Sequence, residues 1–366
     1  MSLALRNLLQ DRTRLLLSIA GVSLAVMLVL LLGGFVDGID RQISSYADNT
    51  PGSLVVAQED VDSLLVATSS LPPGAAEAAA SVEGVDEVVP VISRLTILDL
   101  HGAKLATYLI GYDPARGGGP WLVAEGREPL ADDEIVVDRS VAARHDLGVG
   151  GTMRVLGRDL RIVGISEGST TWMLSYVFVR TTAASSRLRM PGIASYLLVR
   201  PAAGTTAETV RDRLRELPGM NAELKGTMVA NDRAYFGRFF TPPIRLMSGI
   251  AFLVGALVVG LVLYTATMER QREYGVLKAI GARGAVLYRV TLTQALVVSG
   301  AGSLIGGAIA LGAAGVVMRL RPQFLIAYTA ETVAVSLVAG LAMALVATLL
   351  PARVIASLAP ADVFRR

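Results

Sequence analysis

The sequence predicts a membrane protein with four transmembrane α-helices and a large α+β extracytoplasmic domain between spans one and two. Apolar residues make up 52% of the 366 residues and charged residues only 18%, whereas soluble domains carry about 25% charged residues. Four segments are apolar for the ~20 residues that crossing a bilayer requires. Residues 37–243, which separate the first segment from the second, are long enough to bury a core of their own.

The four spans follow from apolar runs of 19 residues or more. Residues 1–14 alternate leucine with polar residues, a pattern typical of a short interfacial helix. The first apolar run has 22 residues, longer than the roughly 7–15 of a secretory signal, and therefore predicts a retained anchor. The predicted spans are 15–36, 244–267, 290–317 and 332–350, with the cytoplasmic loop 268–289, the outer loop 318–331 and the tail 351–366 around them.

The basic residues of the short flanks predict the orientation. The N-terminus, loop 268–289 and the tail together hold eleven Arg and Lys residues, and loop 318–331 holds two. The positive-inside rule places both termini and loop 268–289 in the cytoplasm, and 37–243 outside. We therefore expect a multi-pass protein of a bacterial plasma (inner) membrane, with membrane lipid around its spans.

Small residues recur four apart in spans two and three. Their spacing allows helix backbones to approach closely in lipid, so they favour packing within the bundle or between copies. The alternative is that they reflect abundance alone, since the chain has 37 Gly. The pairs are Ala251/Gly255, Ala256/Gly260, Gly302/Gly306, Ser303/Gly307 and Ala310/Ala314. No Asp, Glu, Lys or Arg lies within a span core, which argues against an ion-coupled carrier.

The segment 37–243 reads as a mixture of short strands and helices. Thr205–Glu208 matches a capping box ahead of a helix. Gly117–Pro120 predicts either a hinge between two lobes or a surface loop. The predicted strands are 53–57, 85–98, 105–112, 134–137, 152–156, 160–165, 173–179 and 196–199, with helices at 75–82, 140–147 and from 206 onward.

Charge divides this segment into two halves. Residues 37–150 carry 19 acidic and 7 basic residues, and 151–243 carry 7 and 13. Two solvated surfaces that partly dock explain this pattern, and so does a face for a cationic or protein partner. Nucleic acid is not expected as a partner, because the positive charges flank apolar segments instead of forming one basic surface.

The sequence lacks the motifs of the common catalytic sites. It has no GxxxxGK[ST], HExxH or GxSxG motif and no cysteine. The acidic run Asp132–Glu134 is expected to be solvated surface, with metal binding as the lesser alternative. We therefore expect no bound cofactor or metal and no enzymatic activity in this chain.

Between spans two and three lies the stretch MERQREYGVLKAIGARG, residues 268–284, in which six of seventeen residues are charged. Tyr274, Leu277 and Ile280 suggest one apolar stripe of a short helix, and Gly281 stands where such a helix would end. We expect the chain to turn near Glu273–Gly275. If this stretch served only to fix the membrane topology, its arginines would be explained. Its two glutamates and its capped helix would not be.

The string E-R-Q-R-E-Y-G-V-L-K-A-I-G-A at 269–282 resembles the cytoplasmic loop of MacB/FtsX-type (type VII) ABC transporter permeases. Tyr274 stands where that family has Ile or Phe. Other stretches resemble the family in order along the chain, and the tail is most similar to the DevC-like branch. These stretches are L-R-N-L-L-Q-D-R-T-R-L-L-L at 5–17, E-I-V-V-D-R-S-V-A at 134–142, and P-A-R-V-I-A-S-L-A-P-A-D-V-F at 351–364.

The resemblance implies a permease that acts with other subunits. The expected partners are a cytoplasmic ABC ATPase that binds ATP and Mg²⁺, a second permease (a homodimer or a related chain), and an adaptor or membrane-fusion protein. The resemblance also implies that one set of residues forms a coupling helix against the ATPase. This set is Glu269, Arg270, Arg272, Glu273, Gly275, Val276, Leu277, Lys278, Ala279, Ile280, Gly281 and Ala282.

Two functions of this architecture stay open at the level of sequence. One is export or extraction of a lipid-like, lipopeptide or amphipathic substrate, driven by movement of the outer domain. The other is an FtsX-like transducer, which moves no substrate and activates an extracytoplasmic partner such as a cell-wall hydrolase. A membrane enzyme is a third and weaker hypothesis, because no catalytic group is visible in 37–243.

Overall fold

The computed structural model describes residues 12–100, 103–172, 174–280 and 284–357. The described helices are α1 Arg12–Asn49, α2 Ala75–Ala80, α3 Arg139–His145, α4 Thr181–Leu188, α5 Ala207–Arg215, α6 Lys225–Glu269, α7 Gln271–Ala279, α8 Gly284–Leu320, α9 Ala330–Ala347 and α10 Leu349–Ser357. The described strands are β1 Leu54–Gln58, β2 Val85–Leu100, β3 Ala103–Tyr112, β4 Val123–Gly126, β5 Glu134–Asp138, β6 Thr152–Val155, β7 Arg158–Ser166, β8 Thr170–Thr171, β9 Leu174–Arg180, β10 Tyr196–Pro201 and β11 Met220–Leu224.

The chain forms two compact units. The helical bundle comprises residues up to Gly38, Phe240–Leu320 and Ile326 onward, and the sheet domain comprises Ile39–Phe239 with Arg321–Leu325. In the described part of the chain, four helical stretches are long and apolar enough to cross a membrane, as predicted: Arg12–Asn49, Lys225–Glu269, Ala285–Leu320 and Ala330–Val354. Each is longer than its predicted span, because the flanking polar residues continue the helix. The predicted interfacial helix at 1–14 lies almost wholly outside the described residues.

Glycines let the helices of the bundle approach one another closely. A Cβ at Gly306 of α8 would lie 2.5 Å from the carbonyl oxygen of Ser23 in α1, and one at Gly302 would lie 2.6 Å from the Cβ of Val22. Between α8 and α9, the Ser299 hydroxyl donates to the Gly340 carbonyl oxygen at 2.5 Å. The small residues at 302 and 306 therefore serve packing within one chain. Gly307, by contrast, has open space where its Cβ would be.

A carboxylate of α1 fastens the start of α9. Thr329 is the N-cap of α9, and its hydroxyl accepts from the Thr332 N–H at 3.1 Å. The Asp37 carboxylate accepts from the Thr329 N–H at 3.2 Å and from the Thr329 and Thr332 hydroxyls at 2.8 and 2.6 Å. These charge-assisted bonds satisfy donors at the helix start that have no partner within the helix.

The sheet domain contains one eleven-stranded sheet with the order β11-β1-β10-β2-β3-β9-β5-β7-β4, to which β6 and β8 add as partners of β7 and β9. Most neighbours are antiparallel, while β3 pairs with β9 and β5 pairs with β7 in parallel. Strand β2 pairs antiparallel with β3 from Ile92–Gly111 to Leu100–Ala103, and this ladder joins the two ends of the sheet. Residues 37–243 thus fold around a single sheet and not as two separate lobes.

Alternation along the strands places apolar residues on both faces of the sheet. In β1, Leu54 and Val56 pack with the residues of α2 and α5, whereas Val55 packs with Ala47 of α1 and Met228 of α6. At the other end, α3 and α4 cover one face and aromatic residues fill the second; these include Tyr46, Tyr112, Tyr176 and Phe178. Helices on both faces explain why several strands read as continuous apolar runs.

Several local predictions are wrong in detail. The N-cap of α5 is Thr206, which accepts from Thr209 N–H at 3.3 Å, and not Thr205. Gly118 and Gly119 are buried, so they form neither a surface loop nor a hinge between lobes. Both glycines are needed for packing, since a Cβ at either would collide with a neighbouring side chain. Strands β4, β8 and β11 and helix α4 were not predicted at all.

The two oppositely charged halves of this domain dock on each other. Among the described residues, five ion pairs join an arginine from 151–243 to a carboxylate from 37–150: Arg161–Glu134, Arg180–Asp132, Arg200–Glu87, Arg213–Glu83 and Arg233–Asp40, at 2.6 to 3.5 Å. This supports the docked surfaces over the face for a partner. Exposed pairs of this kind contribute about 0–1 kcal/mol each, so they orient the halves more than they stabilise them.

Glu134 is the exception, because its side chain is 2% exposed. Its carboxylate accepts from Arg127 at 2.6 and 2.7 Å, from Arg161 at 2.6 Å and from the Leu130 N–H at 2.8 Å. The hydrogen bonds from Arg127 are the main reason that the pKa of Glu134 is lowered to about 2. Asp132 and Asp133 are exposed, as predicted for the acidic run 132–134, and only Glu134 departs from that prediction. Among the described residues, the run is not part of a cluster able to hold a metal ion.

We expect Gly306→Ala to destabilise the bundle by roughly 1–3 kcal/mol, because the new methyl group meets backbone atoms that cannot move aside. Gly307→Ala is the matched control and should be neutral or stabilising by up to about 1 kcal/mol. Thermal unfolding of both variants in detergent measures the difference. Equal melting temperatures would contradict the packing assigned to Gly306.

We expect Glu134→Gln to lower the free energy of unfolding of the sheet domain by about 2–3 kcal/mol at pH 7. The pKa of Glu134 is about 2 in the fold against an ordinary value of 4.5, so its contribution is complete above pH 4.5 and is lost as the pH falls through 2. The gap between wild type and variant should therefore narrow in acid. Melting temperatures from pH 7 to pH 2.5 test this, with exposed Glu77→Gln as control.

Candidate coupling site

The stretch between spans two and three forms an elbow of two helices. Helix α6 ends at Glu269, and Arg270, with φ −100° and ψ 16°, leaves the helical conformation before α7 begins. The Arg270 carbonyl then accepts from the Tyr274 N–H at 3.0 Å, which starts the hydrogen bonding of α7. The turn predicted at Glu273–Gly275 is wrong, because those residues are helical. A glycine inside a helix costs only about 1 kcal/mol, so Gly275 does not break it.

Burial separates two faces of α7. Tyr274 is 3% exposed and Gly275 is buried, whereas Val276 and Ile280 are 45% and 77% exposed. Arg272 and Glu273 are exposed as well. The predicted single stripe of Tyr274, Leu277 and Ile280 is therefore wrong: at about 100° per residue, six positions bring Ile280 far round the helix from Tyr274. The side chain of Leu277 and residues Gly281 and Ala282 lie outside what the structure describes.

Tyr274 anchors α7 beside a small polar cavity of about 40 Å³. That volume has room for about three or four water molecules, given about 10–15 Å³ for each. Burial raises the pKa of the Tyr274 hydroxyl, which therefore stays neutral and available for hydrogen bonding. The cavity is lined by polar side chains from four helices, namely Arg14, Ser18, Thr267, Arg270, Tyr274 and Gln294, together with apolar residues of α1 and α6.

Ion pairs link the elbow to the first helix. Arg14 of α1 donates to Glu269 at 2.7 Å, and Arg270 lies 3.8 Å from Glu273, one helical turn away. Both glutamates are more than 60% exposed, so each pair contributes less than about 1 kcal/mol. Of the predicted coupling residues, Glu269, Arg270 and Glu273 thus make ion pairs within the chain. The exposed residues of α7 are Arg272, Glu273, Val276, Ala279 and Ile280.

Sequence reasoning missed the residues that support the elbow from behind. Arg14 was read only as a topology signal, and Ser18 and Thr267 were read as ordinary residues of a span. Gln294 is 8% exposed and lies in the wall of the cavity. No local pattern identifies these residues, since the Arg14–Glu269 bond joins positions 255 residues apart.

Four helices able to cross a membrane, with a sheet domain inserted between the first two and an elbow after the second, are the features of a multi-pass membrane protein. Family comparisons give the same answer: the MacB-like periplasmic core domain matches residues 15–217, and the FtsX-like permease C-terminal domain matches residues 245–360. The chain therefore belongs to the MacB/FtsX-type family of ABC transporter permeases.

Two relatives agree with this assignment by sequence. An uncharacterized ABC transporter permease of Mycobacterium tuberculosis is 26% identical over 308 residues, which cover 84% of either chain. The macrolide export ATP-binding/permease protein MacB of Rhodopseudomonas palustris is 24% identical over 93% of this chain, which spans 56% of that relative. The periplasmic region of MacB from Actinobacillus actinomycetemcomitans aligns with a TM-score of 0.37 at 13% identity, over 50% of this chain and 92% of that structure.

Proposed function

We propose that this chain couples ATP hydrolysis, carried out by a cytoplasmic ATPase subunit that binds ATP and Mg²⁺, to movement of the sheet domain. The work done is export or extraction of a lipid-like, lipopeptide or amphipathic molecule. In this proposal two permease chains, identical or related, act together on the ATPase. An adaptor protein extends the assembly where the cell envelope requires one.

The outward face of α7 is the observation that carries the proposal. Val276 and Ile280 expose apolar surface, and Arg272 and Glu273 flank it with one charge of each sign. An apolar centre with a charged rim is the composition of a protein-binding face. Exposed isoleucine is costly in water, and a partner that covers it would recover that free energy.

The inward face of α7 explains how force would pass from that partner into the bundle. Tyr274 is buried at the wall of the cavity, and Arg14 and Glu269 tie the elbow to α1. A push on α7 therefore acts through packed side chains and not through a loose loop. Under this proposal, the small hydrated cavity gives the elbow room to tilt.

We place α7 in the cytoplasm and the sheet domain outside a bacterial inner membrane, because the basic residues gather in the short segments on the α7 side. The chain has no native cysteine, so single substitutions report the orientation directly. In intact cells, a membrane-impermeant maleimide should label Glu77→Cys of the sheet domain and spare Arg272→Cys until the membrane is permeabilised. The reverse labelling would overturn the orientation.

We expect Ile280→Asp, which places a charge at the centre of this face, and Glu273→Lys, which reverses a charge on its rim, each to reduce binding of the cognate ABC ATPase by about tenfold or more. Both side chains are exposed, so insertion and melting temperature should not change. Glu77→Lys, an equally drastic change on the sheet domain, should bind the ATPase like wild type. Co-purification and ATPase assays of the reconstituted complex measure this effect.

Three results would count against the proposal. Wild-type ATPase binding by both variants would remove α7 from the coupling role. Intrinsic ATPase activity of the purified chain would contradict a separate ATPase subunit. Coupled ATP hydrolysis without transfer of any lipid, lipopeptide or drug between vesicles, together with capture of a wall hydrolase, would replace export with the FtsX-like transducer.

A further inference from the structure

The sheet domain has a cavity of about 380 Å³ that lies apart from the coupling elbow. It opens between the C-terminal part of α1, the start of α3 and the turn before β8, and it is large enough for a small organic molecule. Its wall combines the polar side chains Arg41, Gln42, Arg139 and Glu167 with apolar surface from Ala143, Pro322 and Leu325.

A positively charged group and a hydrogen-bond acceptor in this wall remain available to a ligand. Among the described residues, the Arg41 guanidinium has no carboxylate within 4.0 Å, although it lies on an acidic half of the domain. Gln42 is 5% exposed; its amide nitrogen donates to the Thr170 hydroxyl at 3.2 Å and to the Gln323 carbonyl at 3.0 Å. No described residue donates to its amide oxygen, which is therefore an acceptor that a ligand in the cavity can use.

The cavity wall also contains a carboxylate that a ligand can reach. Arg139 lies 3.1 Å from Glu125 and 3.5 Å from Glu167, so one guanidinium serves two carboxylates and Glu167 stays 55% exposed. Asp138 is different, because it is 2% exposed and its two oxygens accept from the Ser140 and Ser169 N–H groups at 2.8 Å. Asp138 therefore shapes the wall, and Glu167, which shares Arg139 with Glu125 and is 55% exposed, is the carboxylate that a cation can reach.

We propose that this cavity binds a zwitterionic headgroup, with its anionic oxygens on Arg41 and its ammonium group on Glu167 and the Gln42 amide oxygen. A purely anionic ligand would meet Arg41 but would also meet the carboxylate of Glu167, which has only a share of the Arg139 charge because Arg139 pairs with Glu125 as well. A purely cationic one would leave Arg41 facing a charge of its own sign. Pro322 and Leu325 offer apolar surface for the first carbons of an attached chain. The inference does not rest on ATPase coupling.

The segment that supplies this apolar surface is held in place by hydrogen bonds. Gln323 accepts from Gln42 through its carbonyl oxygen and from Arg144 of α3 through its side-chain oxygen. Ser45 donates to the Thr170 carbonyl at 2.8 Å and so fixes the opposite wall. The cavity is thus preformed, which lowers the entropy cost of binding.

The test uses the full chain in detergent without any ATPase, and the probe is glycerophosphoethanolamine. Calorimetry should show binding of this zwitterion, and weaker binding by about tenfold of glycerol phosphate, which lacks the ammonium group, and of ethanolamine, which lacks the phosphate. Arg41→Gln and Glu167→Gln should each weaken binding of the zwitterion by about tenfold. Arg154→Gln, at an exposed pair with Asp159, is the control and should bind like wild type.

No binding of the zwitterion, or equal binding of glycerol phosphate that is unaffected in Glu167→Gln, would overturn the proposal. Short-chain phosphatidylethanolamine distinguishes the source of the headgroup. Tighter binding of this lipid that is lost in Leu325→Ser supports the site and assigns it to a lipid. Equal affinity for lipid and free headgroup supports the site and assigns it to a soluble zwitterion. Neither outcome depends on whether α7 binds an ATPase.

Discussion

Close contact between helix backbones is the constraint on which the bundle depends. In lipid, apolar side chains gain little by leaving the solvent, so association relies on packing and hydrogen bonds. Gly306 and Gly302 admit α1 to within direct contact of α8, and the Ser299 hydroxyl reaches the Gly340 carbonyl of α9. Three helices are held by surfaces that only small residues permit.

The packing of α1 against α8 also explains how the elbow is held. Once α1 lies against α8, Arg14 and Ser18 stand beside the end of α6, where Glu269, Arg270 and Tyr274 follow in sequence. A large neutral aromatic side chain fills most of the space, and a polar cavity of about 40 Å³ remains. Burial of Tyr274 fixes the rotation of α7. That rotation in turn determines that Val276 and Ile280 point away from the bundle.

Composition and motif predicted the spans, the inserted domain and the existence of α7, because each rests on a long or repeated local pattern. They failed where the outcome depends on contacts distant in sequence. The break at Arg270 carries no glycine or proline, so nothing local distinguishes it from the helix on either side. Strand β8 has two residues and forms only because β9 offers it an edge. Gln294 is one polar residue in an apolar helix until the fold surrounds it with Ser18 and Tyr274.

In the sheet domain, the net charge of each half does not by itself identify a surface for a partner. The acidic half and the basic half could each have been a surface for a partner, and the five ion pairs between them show that much of the charge is already used within the domain. What matters for binding is the charge left after those pairs are counted. At the cavity beside α3, Arg41 has no carboxylate partner among the described residues, Glu167 shares Arg139 with Glu125, and the Gln42 amide oxygen has no donor. Two opposite charges and a hydrogen-bond acceptor on one preformed wall select for a ligand that carries both signs, which neither half would have suggested by its composition.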